Sequence, residues 1–336
     1  VSRQGVRNAE TVMIPAPGEV AVATQPTSYP FRTCVVRVGP SEPEAGEPAD
    51  PACVAGGLAQ SASERLTYIH VHTLDDTRAP VWRDYAVERA TGKRVELRDL
   101  DELKRFTPDD RHVIGLAKER QRPQGPLGIW STSTGALVRK FDDTNFSTKV
   151  AVSPDSTVIA LVHERRGSVR TIVDGRELFS FKIDDEASAV AFLDDNHSLA
   201  IGTIGGAFSV HKKGKLSAAG SSSGGEIKTF VVDSTSGTVA TLSRDGAIRI
   251  WNAANGTVRA TLVDFHDGES IAFTPAGAYV GTANVSDRVA WAYDAPTELF
   301  SFEQFDQSYR NPSLVAARLA GKRLSLIHIS EPTRPY

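Results

Sequence analysis

The chain has 336 residues, 40% of them hydrophobic, enough to bury a sizeable core. Lys and Arg (38) nearly balance Asp and Glu (41) for a net charge of −3, and no basic block offers a phosphate-backbone footprint, which argues against nucleic-acid binding. No apolar run reaches the ~18 residues that a membrane span needs, and two cysteines are too few for a disulfide framework.

Taken in chain order, residues 1–60 read as an irregular segment. A hairpin is predicted around Pro15-Ala16-Pro17-Gly18 and a strand over Arg32–Val38, followed by a Pro- and Glu-rich loop from Pro40 to Pro51. Cys34 and Cys53 flank that loop, as one disulfide or as two free thiols; the cytoplasm is the preferred compartment and export the alternative. Strand character returns over Leu66–His72, where Leu66, Tyr68, Ile69 and Val71 favour β structure. Tyr85–Val87, the turn Ala90-Thr91-Gly92-Lys93 and Val95–Leu97 then read as the last two strands of one four-stranded unit.

From Phe106 the pattern repeats. An apolar run, a tight polar turn, a run of small and β-branched residues and a further strand recur. The turns are Thr107-Pro108-Asp109-Asp110, Ser153-Pro154-Asp155-Ser156, Leu193-Asp194-Asp195-Asn196, Asp233-Ser234-Thr235-Ser236 and Thr274-Pro275-Ala276-Gly277, stepping by 46, 40, 40 and 41 residues. A period near forty built from short strands indicates an all-β fold, a β-propeller of four-stranded blades. Blades are expected near 106–148, 149–188, 189–228, 229–269 and 270–303. The earlier unit makes six, and residues 11–60 offer material for a seventh.

The second strands, Thr157–Val162, Ser198–Ile204, Thr238–Ser243 and Ala278–Ala283, are nearly continuous apolar runs, as in sheets buried on both faces. The third strands carry the aromatic weight in Trp130, Trp251 and Trp291, each expected to bury roughly 150–250 Å² between blades. Beyond the propeller (61–304), Asn311 caps a predicted short helix with Pro312 in its first turn. Leu314, Val315 and Leu319 give that helix an apolar face and Gly321 ends it, so that 305–323 would dock on the propeller rim or link to a following domain.

The stretch Leu242-Ser243-Arg244-Asp245-Gly246-Ala247-Ile248-Arg249-Ile250-Trp251-Asn252 resembles WD-repeat proteins. The resemblance implies a buried hydrogen-bonded set of Ser243, Asp245 and Trp251, with the Trp251 indole donating to Ser243. The family's Gly-His pair is absent before this unit. Residues 270–321, with Phe302-Glu303-Gln304-Phe305-Asp306 and Tyr309-Arg310-Asn311-Pro312-Ser313, are similar to bacterial proteins that join a WD-type propeller to a caspase-like peptidase. Here Ser313 replaces the family's Asp, and the Asn and Arg are shuffled. Leu324–Arg334 matches one reading frame of a transposase adapter used for sequencing libraries, so 324–336 is read as a non-native tail and set aside from the fold.

No catalytic, cofactor or metal site is assigned. The caspase Gln-Ala-Cys motif is missing, and Cys34 and Cys53 lie far from any His-Gly pair. His70 and His72 share a strand face but lack a matching third ligand. The Asp pairs at 75–76, 142–143, 184–185 and 194–195 lack a calcium-loop pattern and are read as turn residues. Gly220-Ser221-Ser222-Ser223-Gly224-Gly225 is read as a flexible loop and His211-Lys212-Lys213-Gly214-Lys215 as a solvated hairpin. The expected role is a monomeric protein-binding scaffold, the sensor or docking half of a larger bacterial protein. The alternatives are a propeller enzyme with a site in its central channel and a stand-alone structural propeller.

Overall fold

The computed structural model describes residues 9–16, 19–24, 32–37, 54–74, 80–119, 125–194, 197–233, 236–265, 268–294 and 297–321. They divide into two compact units, one of residues 1–148 with 155–157 and 172–175, the other of the remaining segments from 149 onward. Both are all-β, and every sheet is an antiparallel meander in chain order.

In the first unit, Ala9–Ala16 (β1), Glu19–Thr24 (β2) and Arg32–Arg37 (β3) form a three-stranded sheet. Val54–Gln60 (β4), Leu66–Leu74 (β5), Pro80–Glu88 (β6) and Arg94–Glu96 (β7) form a four-stranded one, and Leu100–Phe106 (β8), His112–Ala117 (β9), Leu127–Ser131 (β10) and Leu137–Phe141 (β11) another. Two of these strands begin ahead of the sequence expectation. β4 carries Gly56-Gly57, at which the register shifts between Ala55 and Leu58, and so has weak β propensity. β8 is an edge strand whose outward positions are charged, so Asp101-Glu102 and Lys104-Arg105 mask its buried Leu100 and Phe106.

The second unit continues with Lys149–Val152 (β12), Val158–His163 (β13), Arg166–Thr171 (β14) and Glu177–Lys182 (β15), then Ala187–Phe192 (β16), Ser198–Thr203 (β17), Ala207–Lys212 (β18) and Lys215–Ser221 (β19). Each set is a four-stranded sheet. Ile227–Asp233 (β20), Thr238–Ser243 (β21), Ile248–Asn252 (β22) and Thr257–Asp264 (β23) are joined edge to edge by Ser270–Phe273 (β24) and Tyr279–Gly281 (β25), giving six strands. Among the described residues, Ala290–Asp294 (β26) and Thr297–Ser301 (β27) pair only with each other. The expected last blade, 270–303, is therefore not a separate four-stranded sheet. The turn at Phe265–Glu269 returns β24 onto β23, and a 3-10 turn at Val285–Asp287 separates β25 from β26.

Two families of turn repeat through these sheets. Glu64, Asp110, Ser156, His197, Gly237 and Gly277 close successive first hairpins in the left-handed region, with φ from 59° to 88°. In two of them the same two backbone bonds recur, Ser61 N–H to Leu66 O with Glu64 N–H to Ser61 O, and Thr107 N–H to His112 O with Asp110 N–H to Thr107 O. The Ser61–Leu66 member lacks the Pro and Asp of the others and escaped the sequence pattern. Gly92, Gly135, Gly175 and Gly256 close third hairpins at φ 70° to 72°.

Within each unit, neighbouring four-stranded sheets pack face to face. Leu66, Tyr68 and Ala86 meet Phe106, Val113 and Trp130. Val162, Val169 and Phe181 meet Phe192, Leu199 and Ile201. Phe208, Val210 and Ala218 meet Ile227, Val239 and Trp251. The central strands β9, β13 and β17 are buried on both faces, as their continuous apolar runs require. β21 alternates instead, because only one face of its sheet is covered.

The chain ends in a 3-10 turn at Phe302–Phe305, a short helix Asp306–Tyr309 (α1) and Pro312–Leu319 (α2). Asn311 Oδ1 accepts the Leu314 N–H at 3.0 Å, Pro312 opens the helix, Val315 is fully buried and Gly321 ends it at φ 70°. α2 rests against β23 and β25.

Gly92 and Gly256 share one backbone conformation but differ in surroundings. A Cβ on Gly92 meets nothing within 4 Å, whereas one on Gly256 would lie 2.3 Å from the Ala219 carbonyl on the preceding sheet. Gly92→Ala should cost only the left-handed penalty of ~1–2 kcal/mol. Gly256→Ala should cost a further ~1–3 kcal/mol from overpacking. Urea titration of the two variants checks this, and equal losses would mean that the hairpin is not pressed onto β19.

Candidate functional site

Trp251 is fully buried and stacks on Phe208 of the preceding sheet, with centroids 4.7 Å apart and planes at 19°. Its Nε1–H donates to Thr241 Oγ1 at 2.9 Å and not to Ser243. Strand geometry explains the difference. Val239 lies opposite Trp251, and Thr241 is its next same-face neighbour on β21. Ser243 is four residues along from Val239, roughly 13 Å away. The Ser243 hydroxyl is buried without a hydrogen-bond partner among the described residues.

Asp245 sits in the β21–β22 turn, accepts the Ala247 N–H at 3.1 Å, and holds Arg249 in a two-point ion pair at 3.1 and 2.6 Å. The Arg249 hydrogen bonds hold its carboxyl below the usual range, with the Ala247 amide assisting. Gly224 packs against this pair and accepts the Asp245 N–H, while Glu226 accepts that of Arg244. The Gly220–Gly225 segment, expected to be a flexible loop, instead begins within β19, at Gly220 and Ser221, and is bonded to the neighbouring turn through Gly224.

Trp130 is fully buried in the first unit, and its Nε1–H donates to Arg98 O at 2.6 Å. Trp291 is half-buried. It packs on its own C-terminal segment, stacked on Phe302 at 5.4 Å with Tyr309 at 5.0 Å, and its Nε1–H donates to Phe302 O at 3.1 Å.

A polar cluster that the sequence pattern did not assemble lies between the two four-stranded sheets of the first unit. Cross-strand pairing sets His70 of β5 opposite Asp84 of β6. Buried Asp84 accepts from Tyr68 Oη at 2.5 Å, lies 2.7 Å from His70 Nδ1, and has Lys118 Nζ 3.5 Å from its other oxygen. Burial first, then the Asp84 charge, pushes the Tyr68 phenol up and keeps it a donor. The three partners surround a carboxylate that sheet packing removes from water, and Lys118 brings the compensating positive charge. His72 lies opposite Trp82 in the register. Cys34 pairs with Val22 on β2, and Cys53 lies outside the described residues, as do Asp75, Asp76, Asp195 and the 324–336 tail. Asp185 and Asp194 accept turn amides, from Gly205 and Ser198 respectively, each at 3.0 Å.

The face of β20–β23 turned away from Trp251 exposes apolar side chains on β20, β21 and β22 and is covered at Ala260 of β23, which is fully buried. The register aligns two cross-strand rows on it, Val231–Ala240–Ile250–Ala260 and Thr229–Leu242–Ile248–Leu262. Val231 is 70% exposed, Ile248 41% and Leu242 38%. No protein-family model matches this chain, and no curated protein sequence does.

Because Thr241 and not Ser243 completes the indole, Thr241→Val should cost about 1–2 kcal/mol by leaving a buried N–H unpaired, and Ser243→Ala should be close to neutral. Trp251→Ala should cost about 3–5 kcal/mol. Denaturant titration of the three variants decides the pairing, and a larger loss at Ser243 than at Thr241 would reverse it.

His211, expected in a solvated hairpin, is buried with its ring 5.0 Å from Phe181, and burial holds its pKa below the usual histidine value. Burial does the same to His112. The unfolded chain therefore binds protons that the folded one refuses. Stability should be intact above about pH 6.5 and fall as pH drops below it. The lowered Asp245 titrates separately, below about pH 4. His211→Leu should flatten the thermal midpoint between pH 7 and 5, as read by circular dichroism; an unchanged slope in that variant and in His112→Leu would contradict it.

Proposed function

We propose that this chain is a protein-binding scaffold, a WD-type propeller fragment whose sheets are its blades and whose larger parent is a bacterial sensor or docking protein. The blade reading is supported by the near-forty-residue recurrence of both turn families and by Trp130 and Trp251 at the inter-sheet positions. The docking reading is carried by one observation, the exposed apolar side chains Val231, Leu242 and Ile248 on one face of β20–β22. Equivalent positions on β17 are buried on both sides, whereas here Val231, Leu242 and Ile248 stand in solvent. A contiguous apolar patch of this kind marks an interaction site more often than an isolated exposed residue does. The link to a caspase-like effector rests on the resemblance of residues 270–321.

The test is peptide display selection on the immobilised chain, followed by the double variant Leu242→Lys with Ile248→Lys. Both side chains are solvent-facing, so the thermal midpoint should stay within error while selected ligands lose at least tenfold in affinity, about 1.4 kcal/mol. Selected ligands that bind the double variant as well as the parent would remove this face as the docking surface.

A further inference from the structure

A second feature lies at one end of that open face. A cavity of about 340 Å³ is enclosed by the β22–β23 turn, the β24–β25 turn and the C-terminal end of α2. Its polar lining consists of Arg259, Arg318, Asn252, Asn255, Thr257 and Thr274, without a carboxylate.

The lining is biased toward donors. Arg259 Nη1 donates to Thr238 Oγ1 at 3.0 Å, and neither guanidinium has a carboxylate partner among the described residues. Asn252 Oδ1 accepts the Ala254 N–H at 3.0 Å, and Asn255 Oδ1 accepts the Thr257 N–H at 3.1 Å and the Thr257 hydroxyl at 2.8 Å, which leaves each amide its NH₂ group as the remaining polar function and the Thr257 oxygen an acceptor. The Thr274 hydroxyl is buried with no partner among the described residues. Gly321 closes the wall, since a Cβ there would meet Arg259 Nη1 at 2.7 Å.

We infer that this cavity binds a carboxylate side chain of an acidic peptide segment lying along the open face of β20–β22, an inference that rests on the docking function proposed above. A guanidinium fork matches a planar carboxylate in two parallel N–H···O bonds, and two forks with further N–H donors suit an acidic pair. The positions agree. Thr238, which holds Arg259, lies on the same face of β21 as Leu242 and four residues away, about 13 Å along the strand. An extended segment with apolar residues over Leu242 and Ile248 therefore reaches the two arginines within about four residues.

The experiment uses the full chain and a synthetic eight-residue peptide of alternating Val and Thr ending in Glu-Glu. A matched Gln-Gln peptide and a matched phosphoserine peptide serve as comparators, with affinities read by isothermal titration. The Glu-Glu peptide should bind about tenfold tighter than the Gln-Gln peptide, and that preference should shrink as salt is raised. Arg318→Gln should reduce the preference at least threefold with the thermal midpoint unchanged, because Arg318 is exposed at the helix end and its loss spares the fold. Arg318→Lys should restore only part of it. Equal binding of the two peptides would overturn the carboxylate site while leaving the docking face standing. Binding of neither would overturn both. Preference for phosphoserine by more than tenfold, competed by inorganic phosphate, would replace the carboxylate by a phosphate group.

Discussion

Face-to-face burial between successive four-stranded meanders is the constraint on which the structure depends. A meander of short strands encloses no core of its own, so its apolar side chains are shielded only when another sheet lies across them. Two devices bring the sheets close enough. An aromatic residue on the third strand crosses the gap, as Trp251 does onto Phe208, and the Gly256 hairpin approaches the Ala219 carbonyl where a side chain would collide. Removing either device opens the same interface, so the strength of one sheet pair cannot be assigned to one residue.

This constraint explains which features were legible in the sequence. The repeat could be read because the turns have to sit at equal intervals for sheets to stack, and Pro, Asp and Gly at those turns stand out in the chain. The Ser61–Leu66 turn has the same backbone without those residues. Its Glu64 takes the left-handed position by context, and nothing in its chemistry announces that. The short C-terminal helix could be read from Asn311, Pro312 and Gly321, because capping depends on residues adjacent in sequence. The pairings across strands could not. Thr241 and Ser243 are chemically near-equivalent partners for an indole, and only the register puts Thr241 within reach. His70 and Asp84 are fourteen residues apart in sequence and meet because β5 and β6 pair in one register and not its neighbour.

The end of the repeat follows from competition between two uses of a strand. β24 can stack as the start of a new sheet or hydrogen-bond to the edge of β23, and it does the second. Edge pairing satisfies the β23 amides and carbonyls, which would otherwise face water. It also lengthens the sheet without supplying a layer over β20–β22. The following aromatics pack on the added strands themselves, with Trp291 edge-on to Tyr279 of β25 and clustered with Ile271 and Phe273 of β24. Trp291 turns to Phe302 and Tyr309 and builds a local cluster with the C-terminal segment.

The open face and the donor-lined cavity are two consequences of that one choice. With β24 and β25 placed beside β23, the Thr274–Gly277 turn stands level with the β22–β23 turn, and α2, resting on β23 and β25, brings Arg318 to the same end. The edge pairing that leaves Val231, Leu242 and Ile248 uncovered thus also gathers Arg259 and Arg318 around a cavity without a carboxylate. Apolar rows and a cationic end lie on one surface because one hairpin, at Phe265–Glu269, sets both.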